Sequence, residues 1–310
     1  MGAALDSVIR CDGLTMAYGP KLVLDGLTLE IPRGQVVALL GPNGAGKTTT
    51  VEILEGIRRP SGGRVQVLGS DPIRAGEAWK ARVGIVLQSW RDHARWRVHE
   101  LLEVIADYYV PFATPEVVRP WPTDELLERV GLADSRDQRI DRLSGGQRRR
   151  LDVAVGLVGR PELLFLDEPT TGLDPKGRRD IHDLLGDVAD LETTILMTTH
   201  DLDEAEKVAD RILVLASGRI IADGTPDELR LGFSRSNEVR VRDRATGRVM
   251  VHSTPDPTAW LTEQLTLRPG EVEVLEVRPA SLEEAYLSVV RRAEAGEDLS
   301  EIATIQEVAS

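Results

Sequence analysis

The run Val36-Val37-Ala38-Leu39-Leu40 passes without a break into Gly41-Pro42-Asn43-Gly44-Ala45-Gly46-Lys47-Thr48, with Thr49 and Thr50 following. This junction constrains the fold more than any other stretch. A short apolar run reads as a buried strand, the glycines as a turn, and the residues after them as the start of a helix. The octapeptide fits G-x-x-x-x-G-K-[ST], a pattern that carries meaning only in such a strand–loop–helix context. Its glycines let successive backbone N–H groups point inward at a polyphosphate, and the helix N-terminus adds partial positive charge. Lys47 is then placed to reach the β- and γ-phosphates, and Thr48 to offer a hydroxyl to magnesium. The plainer reading is a glycine turn carrying a surface lysine, but a chance match with both flanks correct is rare.

Other apolar runs end in polar residues that a parallel sheet would gather at the same edge. Val83 to Leu87 ends at Gln88, Leu163 to Leu166 ends at Asp167-Glu168-Pro169, and Thr194 to Thr199 ends at His200. Open α/β sheets place their ligands outside the carboxyl ends of the strands, so these four polar residues are expected beside the phosphate loop. Ser144-Gly145-Gly146-Gln147 precedes the helical segment Leu151 to Leu157, and Ser144 with Gln147 makes a capping box. That is a sufficient structural reason for Ser144. The two glycines are poor helix formers, however, and leave N–H groups open to an anion. Tyr18, ahead of a Gly-Pro turn, is either a packed turn residue or a flat ring able to stack on an adenine base.

Composition narrows the class. The 310 residues are 41% hydrophobic and 29% charged, enough for one large domain with a sizeable core and a smaller one. A formal charge of −13 argues against nucleic acid as a bulk partner, because neutralising phosphates needs a net basic face. A single cysteine, Cys11, and no leading apolar segment imply a reducing, cytoplasmic location, with Cys11 a small core hydrophobe. No uncharged run approaches the roughly 18 to 20 residues that span a bilayer. If the protein works at a membrane, another chain does the crossing.

Along the chain, Val8 to Arg33 reads as antiparallel strands broken by turns at Asp12-Gly13, Tyr18-Gly19-Pro20 and Asp25-Gly26. A helix is expected from Thr49 to Arg58 and a strand from Arg64 to Leu68. Ser89 to Arg97 holds Trp90 and Trp96 among arginines, a composition that suits an interface anchor better than a random solvated loop. Val98 to Val110 and Thr123 to Val130 read as helices around a proline-rich loop, and Lys176 to Ala189 as another. Beyond about Leu231 the spacing gives a hairpin, a helix, a strand and a final helix opened by the capping pair Ser281 and Glu284. The expected domains are residues 1–231 with a helical subdomain at about 89–160, a small α/β domain at 232–293, and an acidic tail at 294–310.

Together these motifs resemble the ATP-binding subunit of an ABC transporter over about Val8 to Leu229, and Leu143-Ser144-Gly145-Gly146-Gln147 is the specific part. The resemblance implies an α/β fold: a P-loop NTPase core with an antiparallel β lobe and a helical subdomain, plus the small C-terminal α/β domain. It implies that Tyr18 stacks on adenine and that Asn43 to Thr49 cradle the phosphates of ATP. Thr48, Gln88 and Asp167 would hold magnesium, Glu168 would accept a proton from the attacking water, and His200 would contact the γ-phosphate. Asp174 would lie at a dimer seam, with Ser144 and Gly146 binding the γ-phosphate of a nucleotide held by the other subunit. The segment Arg278 to Leu287 resembles the daunorubicin-type drug-resistance exporters, whose permease is a separate membrane protein. The Trp90 and Trp96 stretch lies where that family receives its permease, which would hold the subunit at the cytoplasmic face of the membrane.

Two other classes are weighed against an export ATPase. A soluble relative acting on chromosomes needs a long coiled coil before Ser144, and ribosomal relatives usually carry two cassettes where this chain has one. A purely regulatory nucleotide-binding module is disfavoured by the presence of both Glu168 and His200.

Overall fold

The computed structural model describes residues 7–87, 93–189, 193–233, 237–254, 256–279 and 282–294. Gln88, Trp90, Ser281 and the tail at 295–310 lie outside them, so the sequence readings on those residues have no structural counterpart. The described residues fall into two compact units that divide between Ile220 and Ile221.

In chain order the first unit runs β1 (Ser7–Tyr18), β2 (Lys21–Pro32), β3 (Val36–Leu40), α1 (Lys47–Leu54), β4 (Gly62–Val67), α2 (Glu77–Lys80), β5 (Val83–Val86) and α3 (Val98–Tyr109). It continues with α4 (Thr123–Arg129), α5 (Gly145–Leu157), β6 (Leu163–Asp167), α6 (Pro175–Ala189), β7 (Thr194–Thr199), α7 (Leu202–Val208) and β8 (Arg211–Ala216). Strand β9 (Arg219–Gly224) spans the division.

The main sheet has the order β5-β6-β7-β3-β8-β9. All five residues of β3 are buried, which is why that strand reads as an uninterrupted apolar run rather than an alternating one. Register decides what the sheet can do. The parallel pairings set Leu40 opposite Thr199, Asp167 opposite Thr198 and Val86 opposite Leu166, so β3, β5, β6 and β7 end at one edge. The loop after β3, the Asp167-Glu168 pair and His200 therefore leave the sheet side by side.

A second sheet, β2-β1-β4, is antiparallel. Here the turns expected at Asp12-Gly13 and Asp25-Gly26 are not turns. Both lie inside twelve-residue strands, where the register slips and Gly13 (φ 58°) and Gly26 (φ 71°) take left-handed conformations, the signature of β-bulges. Cys11 is buried between these strands, and burial pushes its thiol pKa up to about 12, which leaves it unreactive. Helix α3 packs against α4 and α5, and Leu101, Leu102, Leu126, Leu127 and Leu151 of these helices are buried. The helices α2 and α7, and a short helix at Pro226–Phe233 in the second unit, have no counterpart in the sequence reading, because four to eight residues show too little periodicity.

The second unit holds α8 (Pro226–Phe233), β10 (Asn237–Asp243), β11 (Val249–Thr254), α9 (Pro257–Leu267), β12 (Val272–Pro279) and α10 (Leu282–Glu294). Its antiparallel sheet has the order β11-β10-β12, with Val239, Val241 and Val272 packed under Trp260 and Leu261 of α9. His252 stacks on Trp260 at a centroid separation of 4.3 Å. On the outer strand β11, Val249, Met250 and Val251 are 47%, 40% and 55% exposed.

Candidate active site

The phosphate loop needs its glycines for two different reasons. A Cβ on Gly41 would lie 2.3 Å from the Leu215 carbonyl oxygen of the adjacent strand, so nothing larger fits. Gly46, the residue capping α1, has φ 112° and would place a Cβ 2.7 Å from Leu24 Cδ2. Ala45 and Gly46 are buried, while Asn43, Gly44 and Thr48 face solvent, and Pro42 and Thr49 are half-buried. Lys47 donates from Nζ to the carbonyl oxygens of Gly41 at 2.7 Å and Pro42 at 3.2 Å, which leaves one N–H of the ammonium. Burial lowers its pKa, and the negative charges of Glu168 and Asp167 pull the other way. Tyr18 is 42% exposed, its hydroxyl 3.5 Å from Thr49 Oγ1, with the Arg58 guanidinium 5.1 Å from its ring centre.

Across the sheet edge, Thr198 Oγ1 donates to Asp167 Oδ1 at 2.6 Å and accepts from the Glu168 N–H at 3.1 Å. Glu168 has φ 43°, a left-handed conformation unusual for a side chain without special capacity for it. Its Oε2 accepts from Thr171 Oγ1 at 3.0 Å, and its Oε1 lies 3.2 Å from His200 Nδ1. The Glu168 side chain is 16% exposed and that of His200 is 52% exposed. A carboxylate with an imidazole on one oxygen and a hydroxyl on the other, next to a buried ammonium, can take a proton from a water and steady the developing charge.

A second group of residues lies elsewhere. Ser144 and Gln147 form the expected reciprocal cap, Gln147 N–H to Ser144 Oγ at 3.2 Å and Ser144 N–H to Gln147 Oε1 at 2.9 Å. Asp174 Oδ1 accepts from the Gly177 N–H at 2.8 Å. Ser144, Gly145, Gly146, Gln147 and Asp174 line one open groove of about 520 Å³, which includes none of residues 41–49, Asp167, Glu168 or His200. The sequence-derived site residues thus separate into two clusters. Trp96 is half-buried, its ring 4.5 Å from that of His93.

Two residues that sequence reasoning missed bear on the site. Arg149 is only 6% exposed and donates to Pro169 O at 2.6 Å, Leu87 O at 2.6 Å and Asp167 O at 3.0 Å, tying α5 to the ends of β5 and β6. Its signal was its spacing, four residues before the buried Val153 and seven before the buried Gly156, inside a run of three arginines that looks solvated. Glu55, at the end of α1, is the second. Burial first, then the Asp167 and Glu52 charges, raise its pKa to about 8.

A carboxyl raised in the fold keeps its proton where the unfolded chain has lost it. The Glu55 contribution is therefore intact below the ordinary carboxylate range and is lost as pH rises toward about 8. Glu55→Gln should raise the melting temperature of the nucleotide-free protein more at pH 8.5 than at pH 5. An equal change at both pH values would contradict the assignment.

The family model described as "ABC transporter" matches residues 24–171. The chain is similar to the daunorubicin resistance ATP-binding protein DrrA3 of Streptomyces coeruleorubidus, 45% identical over 73% of this chain and 70% of that one. It is 36% identical to the daunorubicin/doxorubicin resistance ATP-binding protein DrrA of Streptomyces peucetius, over 91% of this chain and 92% of that one. Among solved structures it is similar to cbiO1 of Clostridium perfringens, part of an ABC transporter complex, at 32% identity and a TM-score of 0.61, covering 72% and 90% of the two chains.

Proposed function

The chain belongs to the ATP-binding subunits of ABC transporters, and from that membership we propose that it hydrolyses ATP to drive export of a drug-like or lipid-like molecule through a separate permease. The observation that carries the catalytic part is the pairing of Glu168 with His200 at 3.2 Å, at the sheet edge that also bears Lys47 and Asp167. The export part rests on the similarity to drug-resistance subunits over nearly the whole chain.

In this reading Tyr18 stacks on adenine, the backbone N–H groups from Asn43 to Thr49 cradle the phosphates, and the remaining Lys47 N–H meets the transferred group. Magnesium fits the residues present: Asp167 has one oxygen engaged by Thr198, and the Thr48 hydroxyl is exposed at the head of α1. Among the described residues no group of three or more His, Cys, Asp or Glu could hold a metal alone, so the ion would share Thr48, Asp167 and Gln88 with phosphate oxygens. Bound there, it would neutralise charge between the phosphates. Glu168 accepts the proton of the attacking water, and His200 orients that carboxylate through Nδ1 while Nε2 contacts the γ-phosphate.

The groove formed by Ser144 to Gln147 and Asp174 supports a head-to-tail homodimer in which each ATP is shared. No helix among the described residues is long and apolar enough to cross a membrane, in keeping with a subunit held at the cytoplasmic face by its permease. The purified chain should hydrolyse ATP, and chelation with EDTA should abolish turnover. Cells expressing it with its permease should accumulate less drug than cells in which Lys47 is replaced. Absence of magnesium-dependent turnover would remove the catalytic reading, and unchanged accumulation the export reading.

Trp90 and Trp96 are the proposed permease anchors. Alanine at both should abolish co-purification with the membrane partner and leave the melting temperature of the isolated subunit within a few degrees. Unfolding of the double variant would instead make them packing residues.

A further inference from the structure

The chain immediately after Glu168 is gripped by two buried groups of opposite charge. From one side Arg149 holds the Pro169 carbonyl oxygen at 2.6 Å. From the other, Glu204 of α7, only 5% exposed, accepts from Thr170 Oγ1 at 2.7 Å through its Oε1. The other oxygen of the same carboxylate accepts from Thr199 Oγ1 at 2.5 Å, and Thr199 is the residue before His200. That hydroxyl also accepts the Asp201 N–H at 2.9 Å, which favours aiming its own proton at Glu204. One buried carboxylate therefore binds the two segments that carry Glu168 and His200.

A glutamate in the first turn of a helix ordinarily serves the cap by reaching back to the capping residue's N–H. Glu204 does not. The Asp201 N–H goes to Thr199, Asp201 itself caps the helix by accepting the Glu204 N–H at 3.2 Å, and both Glu204 oxygens point to threonine hydroxyls. His182 Nε2 of α6 is 3.8 Å from Oε1, a third neighbour with no closer hydrogen-bond partner. The helix is capped without this side chain, which is spent on the active-site strands.

Glu168 also sits at φ 43°, and a left-handed non-glycine residue persists only where its surroundings over-determine it. The surroundings here are the Thr198 hydroxyl on its own N–H, Arg149 on the next residue and Glu204 on the one after. We propose that Glu204 is a positioning residue for ATP hydrolysis: by holding Thr170 and Thr199 on its two oxygens, it fixes Glu168 and His200 in register with each other. The proposal rests on the reading of Glu168 as the base that accepts a proton from water.

The test uses the full-length chain and four measurements: kcat, KM, equilibrium binding of ATP, and the melting temperature. Glu204→Gln keeps the side-chain volume but presents an amide N–H₂ to one of the two hydroxyl donors. It should lower kcat about 10- to 100-fold, the scale of a small misplacement at a reacting centre, while KM and ATP affinity stay within about twofold. Thr170→Val and Thr199→Val should each lower kcat in the same way, and Thr199→Ser, which restores the hydroxyl, should recover it. These threonine variants decide the matter if Glu204→Gln fails to fold.

In a Glu168→Gln background, adding Glu204→Gln should cost less than it does in the native chain, because the part that acts through Glu168 is already lost and only the part that acts through His200 remains. The positioning role is overturned if Glu204→Gln, or both valine variants, turn over at the native rate. It is equally overturned if the loss is the same in both backgrounds, or lies in ATP affinity rather than kcat. Native-rate hydrolysis by Glu168→Gln alone would instead bring down the base assignment, and this proposal with it.

Discussion

Glu168→Gln should bind ATP as the native chain does and hydrolyse it about 10²- to 10⁴-fold more slowly, the usual weight of a positioned general base. That range corresponds to about 2.7–5.4 kcal/mol of transition-state stabilisation. The substitution is nearly isosteric, and its amide oxygen can still accept the Thr171 hydroxyl that bonds Glu168 Oε2 at 3.0 Å. The site should therefore keep its shape and lose only the group that takes the proton. His200 Nδ1, now 3.2 Å from a carboxylate oxygen, would face an amide and could change tautomer, so part of the loss can pass through the imidazole. Equilibrium binding of ATP together with single-turnover hydrolysis separates the two effects on affinity and rate. Hydrolysis near the native rate would remove Glu168 from the role.

The second large effect concerns the groove of Ser144 to Gln147 and Asp174, which none of residues 41–49 lines. If each ATP is shared between two chains, Lys47→Ala cripples the loop half of a site and Ser144→Arg blocks the facing half with bulk and charge. Each variant alone should be inactive, because every site in its homodimer carries a lesion. Mixed with exchange of chains, the two variants form dimers in which one site carries both lesions and the other carries neither. Partial ATPase activity should return, up to about half the native rate per mixed dimer if sites fire independently. If the sites must fire together, ATP-driven dimerisation of the mixture is the readout that returns. Full hydrolysis and dimerisation by Ser144→Arg would reduce Ser144 to the helix cap its hydrogen bond to Gln147 already makes it.

What could be read in the sequence was what local chemistry dictates. The run from Val36 to Thr48 implied strand, glycine turn and helix, because a doubly buried strand and left-handed glycines leave few other arrangements. The α/β class followed from the apolar runs ending at Asp167 and His200, and the parallel register sets those ends together. The antiparallel lobe was less legible. Asp-Gly serves equally in a hairpin turn and a bulge, and only the partner strand's register distinguishes them at Gly13 and Gly26. Arg149, Glu55 and Glu204 were hard to read for a different reason. Each lies in or at the end of a helix among other charged residues, where a buried ionisable side chain looks the same in sequence as a solvated one. Their partners, Pro169 O, Thr170 and Thr199 among them, are brought near only by the fold.

The outer strand of the second unit has a consequence for handling the protein. Strand β11 lies at the edge of its sheet and shows solvent three consecutive apolar side chains, Val249, Met250 and Val251. An edge of this kind offers unpaired backbone groups to any extended chain that approaches, and its guard is the charged Arg248 before it. A chain cut to the second unit alone would rely on that one cation against self-association in crowded solution. A lysine at Val251, outward on the same strand, is the kind of gatekeeper that natural sheets use to keep such an edge single.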